Sequence, residues 1–150
     1  YDYKTADNPK TPAEAHLATV TAASTPKHLP TAAFFDHDGK TYRWTDLQLP
    51  LYALAAREAY PETRRPRLAY INLAKTLDKS AFDYWDDFTE AHLDSARECA
   101  VEVIQQIKAG VFWPPNAKLR ESYDDFAALF PDGIENAVDP ETFKCYPFKT

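Results

Sequence analysis

Residues 68–74, LAYINLA, form a nearly continuous apolar run of strand length with aromatic and β-branched members. A strand of that kind has no face to give to water, so it belongs in the interior of a sheet covered by helices. An α/β domain follows. With 150 residues the chain has room for one domain and little for two. Its 45% hydrophobic and 14% aromatic content can fill a core and excludes intrinsic disorder.

The flanking sequence supplies the other elements. Tyr1 to Thr5 is rich in β-formers and is predicted as a strand, ended by the two prolines of residues 6–12. Thr11 precedes Pro12 as a helix cap precedes a first-turn proline, which predicts two turns running to Leu17. Residues 23–30 read as a loop bracketed by proline. AAFF at 32–35 and KTYRW at 40–44 flank an Asp38-Gly39 turn signal, which predicts a hairpin. Leu47, Leu51, Leu54 and Ala55 give residues 46–60 a helical spacing, with Pro50 confined to the first turns. AFDYW at 81–85 alternates weakly. Asp86, Asp87 and Glu90 then open a long helix whose apolar stripe is Leu93, Ala96, Ala100, Val103 and Ile107. Gly110 stops it and Pro114 and Pro115 prevent resumption, so Phe112 and Trp113 are expected to fold back on the helix. A last short helix is expected at residues 123–130. No repeats or low-complexity segments occur.

Charge and cysteine content narrow the function. Seventeen Lys and Arg against 23 Asp and Glu leave a net charge of −6, the wrong sign for holding DNA by bulk electrostatics. Any nucleic-acid contact is therefore local. Cys99 and Cys145 are too few and too far apart for a disulfide scaffold or a metal knuckle, which fits a reducing, cytoplasmic setting. No apolar run approaches the roughly 18 residues of a membrane span, so no membrane association is expected. The chain lacks methionine and starts at Tyr1, and it is expected to be a piece of a longer protein.

Two short elements carry chemistry. In Tyr-Asp-Tyr-Lys-Thr, residues 1–5, the period of two puts Asp2 and Lys4 on one face of the strand. Phosphodiester hydrolysis needs a hard cation, for which a carboxylate is the natural ligand, and a lysine beside it can hold water and stabilise developing negative charge. Taken alone, such a triplet is common and reads first as an ordinary cross-face ion pair. In residues 44–52, WTDLQLPLY, Gln48 and Tyr52 stand at i and i+4, one turn apart on one helix face. An amide there can fix a water or a lysine, and a phenol can donate to a phosphate oxygen. Thr45 and Gln48 also fit a capping box, and Tyr52 could be a core aromatic.

Together, the D-Y-K-T at 2–5 and the Q-x-x-x-Y at 48–52 resemble the PD-(D/E)XK nuclease superfamily, specifically its RecB-like exonuclease branch. Either half alone is a common pattern; the combination is specific. The resemblance spans roughly residues 1–113, with 114–150 as a C-terminal extension. It implies a restriction-endonuclease-like mixed sheet flanked by helices, with the N-terminal part of the core missing from this chain. It implies that Asp2 is an acidic metal ligand, that Tyr3 offers its backbone carbonyl to the metal, and that Lys4 is the catalytic lysine. Gln48 and Tyr52 are then the branch-specific residues that line the site and approach DNA. The implied activity is Mg²⁺- or Mn²⁺-dependent DNA hydrolysis in a repair or recombination protein, alongside a helicase or other domains of a longer parent. The superfamily's further acidic ligand precedes the D-x-K strand, so the chain by itself is expected to be incomplete and inactive. The alternative is a noncatalytic DNA-binding or structural module that retains the nuclease fold. Some members of the branch carry an iron-sulfur cluster on four cysteines, and with Cys145 isolated no cluster is expected here.

Other polar residues fit simpler roles. His37 belongs to the hairpin turn. His16, His28 and His92 lack partners spaced for zinc and are expected at the surface. Arg64, Arg65 and Arg67 form a basic cluster expected in a solvated loop before the buried strand, and Asp124 and Asp125 suit the first turn of the last helix.

Overall fold

The computed structural model describes residues 1–6, 8–21, 29–62, 66–111, 127–129 and 131–132. It is a mixed α/β arrangement of two three-stranded sheets flanked by helices. The first sheet joins β1 (Asp2–Lys4), β5 (Ala69–Asn72) and β6 (Ala81–Tyr84) in the order β1-β5-β6. β1 runs parallel to β5 with Asp2 opposite Tyr70 and Lys4 opposite Asn72, and β6 runs antiparallel to β5. The second sheet is antiparallel, β2 (Leu17–Thr19) and β3 (Phe34–His37) on either side of β4 (Lys40–Trp44).

Most expected elements form with changed bounds: of AAFF only Phe34 and Phe35 join a strand, which runs on to His37, and of the helix expected at 123–130 only Ala127–Leu129 is described, as a short 3-10 turn. LAYINLA contributes the central strand, as its apolar run dictates, and Ala69, Tyr70 and Asn72 are buried there. Asp38 (φ 48°) and Gly39 (φ 72°) both adopt the left-handed region that a two-residue hairpin turn requires. Helix α1 (Pro12–His16) has the expected cap: Thr11 accepts from the Glu14 amide, and the Glu14 carboxylate accepts from the Thr11 amide. The chain then passes directly into β2, a strand that residues 17–19 did not announce. Thr45 forms no capping box with Gln48. Its hydroxyl donates to the Ala15 carbonyl, and Asp46 instead accepts from the Gln48 amide at the start of α2 (Gln48–Ala59).

Helix α3 (Glu90–Lys108) begins at Glu90, with Asp86 and Asp87 in a turn before it. Leu93, Ala96 and Cys99 are its buried apolar positions, with Val103 packed against the core. Ile107, expected in the stripe, is half exposed, because the helix runs past the layer it packs on. It closes in a Schellman motif around Gly110 (φ 72°), the Gly110 amide reaching the Ile107 carbonyl and the Val111 amide the Gln106 carbonyl. The core joins the layers through Trp44, Leu49, Ala53, Tyr70, Trp85, Leu93 and Ala96. Arg57 of α2 forks onto the Glu90 carboxylate of α3, and Trp44 Nε1 donates to Ser95 Oγ at 3.0 Å. Phe112, Trp113, residues 114–126, Arg64, Arg65, His28 and Cys145 lie outside the described residues. Among the described residues no helix is long and apolar enough to cross a membrane.

Candidate functional site

Strand parity brings Asp2 and Lys4 to one face of β1, where Lys4 Nζ lies 2.8 Å from Asp2 Oδ2. Both side chains are partly buried, while Tyr3 between them projects outward and is exposed. On α2, Gln48 opens the first turn and Tyr52 follows one turn later on the same side. Lys4 Nζ donates to Gln48 Oε1 at 3.3 Å, and Gln48 Nε2 donates to the Tyr52 hydroxyl oxygen at 2.9 Å. The amide has only one orientation consistent with these contacts: an ammonium has protons alone to offer, so the amide oxygen must face it. Tyr52 thus accepts from Gln48 and retains its own hydroxyl proton at a half-exposed position.

All four side chains singled out in the sequence therefore form one continuous polar chain, Asp2–Lys4–Gln48–Tyr52. Two elements separated by more than forty residues meet at the Lys4–Gln48 contact, and Leu49 and Ala53 of α2 share a core with Tyr70 of β5. The backbone of Tyr3 also has a defined direction. The Lys4 carbonyl accepts from the Leu73 amide at 2.8 Å, toward β5. Backbone groups alternate along a strand, so the Tyr3 carbonyl faces away from β5, toward the edge of β1 that has no paired strand among the described residues.

The electrostatics of Asp2 bear on a cation. Its Oδ2 is buried and has an ion pair with Lys4 but no hydrogen bond of good geometry. A carboxylate oxygen and a backbone carbonyl are both ligand types that suit a hard cation. Those two oxygens supply part of a shell of about six. Among the described residues no group of three or more His, Cys, Asp or Glu side chains is placed to hold a metal ion.

Several residues of this face were not singled out in the sequence. Tyr70 and Asn72 alternate on β5 and share the face of Asp2 and Lys4 through their register. Asn72 is buried, donates to Asp83 on β6, and leaves its Oδ1 without a hydrogen bond. A lone Asn at even spacing from a Tyr inside LAYINLA was the available signal that one face of this strand is polar. His16 and His92, expected at the surface, are fully buried. His16 lies one turn after Pro12 on the inward side of α1, and both are buried. His92 sits at the third position of α3 with its Nδ1 on the Thr89 hydroxyl and amide, packed against Phe35, His37, Trp85 and Phe88. Burial depresses the pKa of both imidazoles below the ordinary histidine value. Arg67 is not simply solvated: its guanidinium lies 4.0 Å from the Tyr84 ring centroid and 3.6 Å from the Asp86 carboxylate.

No protein-family model, curated protein or solved structure matches this chain.

Proposed function

We propose that the chain carries the catalytic face of a divalent-metal-dependent DNA nuclease with a restriction-endonuclease-like fold, related to the PD-(D/E)XK superfamily and its RecB-like branch. The observation that supports this reading most is the unbroken contact from Asp2 through Lys4 and Gln48 to Tyr52. A structural ion pair needs Asp2 and Lys4 alone. It gives no reason for an amide to hold the lysine from another element while presenting a phenol to solvent. The hollow lined by Thr5, Ala6, Leu73 and Lys75, at the carboxyl ends of the parallel strands, adds support, since that is where open α/β sheets receive ligands.

In this reading Asp2 and the Tyr3 carbonyl would hold a Mg²⁺ or Mn²⁺ ion, and the ion would supply Lewis acidity for phosphodiester hydrolysis. Lys4 orients the attacking water and meets the negative charge that develops on the phosphate. Gln48 fixes the ammonium so that one of its protons is committed and the others are aimed. Tyr52 donates its free proton to a backbone phosphate oxygen, which positions the strand without reading sequence. Two protein oxygens would leave most of a shell of about six to water, so the chain alone should hold the ion weakly and hydrolyse DNA poorly.

The test is hydrolysis of linear DNA by the full-length protein in Mg²⁺ or Mn²⁺, with and without EDTA. Cleavage that EDTA removes supports the reading. A protein inert with metal present refutes it and leaves the noncatalytic module.

A further inference from the structure

Beneath Lys4 lies a buried polar pair that the proposed chemistry does not use directly. The Lys4 ammonium sits 4.8 Å from the centroid of the Tyr70 ring. Tyr70 is 1% exposed, and its hydroxyl is 2.8 Å from His16 Nε2. His16 is wholly buried, stacks on Trp85 with ring centroids 5.4 Å apart, and brings Nδ1 to 2.8 Å from the Asp46 carbonyl oxygen. A carbonyl can only accept, so Nδ1 carries the imidazole proton. Nε2 is then a bare acceptor, and the Tyr70 hydroxyl donates to it. Desolvation keeps this imidazole neutral by lowering its pKa.

The path closes on itself. Asp46 Oδ1 accepts from the Gln48 amide at 2.7 Å, and the Gln48 side chain returns to Lys4. Lys4, Tyr70, His16, Asp46 and Gln48 thus form a ring of contacts that ties the site's strand to the site's helix. A flexible lysine stem has many rotamers, and a cation held over a ring face, at an amide oxygen and at a carboxylate has few.

We propose that Tyr70 and His16 are positioning residues for Lys4: the Tyr70 ring carries the ammonium on its face, and His16 locks that ring through the Tyr70 hydroxyl. The purpose of the positioning rests on the nuclease reading, and the geometry is tested separately from it. Protons over an aromatic face are shifted upfield. The Lys4 ε-methylene protons are therefore displaced upfield of an exposed lysine's in the NMR spectrum of the chain. Tyr70→Phe, which keeps the ring but removes its lock on His16, reduces that displacement, and Tyr70→Leu loses it. Nitrogen-15 spectra of His16 show the proton on Nδ1, opposite to the preference of a free neutral imidazole. If Tyr70→Leu fails to fold, the wild type and Tyr70→Phe decide the question. Lys4 ε-protons at exposed-lysine values, or a His16 proton on Nε2, overturn the proposal.

The cleavage assay of the full-length protein then separates the two claims. Tyr70→Leu lowers kcat on the order of a hundredfold with KM unchanged, the loss a misplacement of about 1 Å brings. A wild type that is inert but shows the displaced Lys4 signal removes the nuclease reading and keeps the positioning. An active wild type with an undisplaced signal removes the positioning alone.

Discussion

Lys4 on β1 and Gln48 on α2 meet at 3.3 Å, an ammonium donating to an amide oxygen across a sequence separation of 44 residues. That contact turns two short motifs into one surface, and it sets a hierarchy among substitutions. Lys4→Ala removes the group proposed to face the developing charge, and cleavage by the full-length protein should fall on the order of a thousandfold. Circular dichroism should show the fold intact, because Lys4 supports no apolar core.

Tyr52→Phe removes the proposed phosphate donor, together with the oxygen that accepts from Gln48 Nε2, and keeps the ring. A hydrogen bond to a charged oxygen contributes about 1.5 kcal/mol, so the loss should be about tenfold, appearing mainly as weaker DNA binding. Single-turnover rates over a range of DNA concentrations separate the two effects.

The legible part of the fold was the part that depends on local pattern. LAYINLA, the Asp38-Gly39 turn, the Thr11 cap before Pro12 and the Gly110 stop each act within a few residues, and each appears where the sequence puts it. The parity of Asp2 and Lys4 and the i,i+4 pairing of Gln48 with Tyr52 were legible for the same reason. What tertiary packing decides was not. Nothing local distinguishes His16 and His92 from surface histidines; they are buried because α1 packs toward Trp85 and because α3 starts beneath the β3-β4 hairpin. The division into two small sheets, and β2 directly after α1, also depend on pairing with distant strands. Tyr70 was read as apolar filling of a strand, since its polar tip finds a partner only when His16 arrives from 54 residues away.

The buried histidines give stability a pH dependence. In the folded state both imidazoles have pKa values below the ordinary 6.5, whereas in the unfolded chain they return to it. The unfolded state therefore binds more protons as pH falls below about 6.5, and the folded state loses stability from there down to the depressed values. Above 6.5 the contribution is constant. Each histidine should cost about 1.4 kcal/mol per pH unit within that window. Urea unfolding between pH 5 and 7 should show the slope, and His92→Phe should remove the His92 share of it. A flat profile contradicts the burial of both rings.

Leu49, fully buried in the first turn of α2, links the site's helix to the core. Leu49→Ala should destabilise the chain by about 2–5 kcal/mol, depending on how far the site collapses. Urea unfolding should show a lower midpoint with an unchanged slope.

The Cys99 thiol is buried on α3, and burial pushes its pKa up to about 11. A thiol reagent at pH 8 should leave it unmodified in the folded chain and label it on unfolding.

Asp2, Lys4, Gln48 and Tyr52 are proposed to act as one cleavage site. The most direct measurement is the single-turnover rate of Mg²⁺-dependent DNA cleavage by the full-length protein for Lys4→Ala, Gln48→Ala and the double variant. Residues that act through one another lose their effects non-additively. Gln48→Ala alone should slow cleavage, and adding it to Lys4→Ala should slow cleavage no further, since the amide's purpose is to hold the ammonium. Independent, multiplying losses would contradict the account, as would a Lys4→Ala protein that cleaves at the wild-type rate.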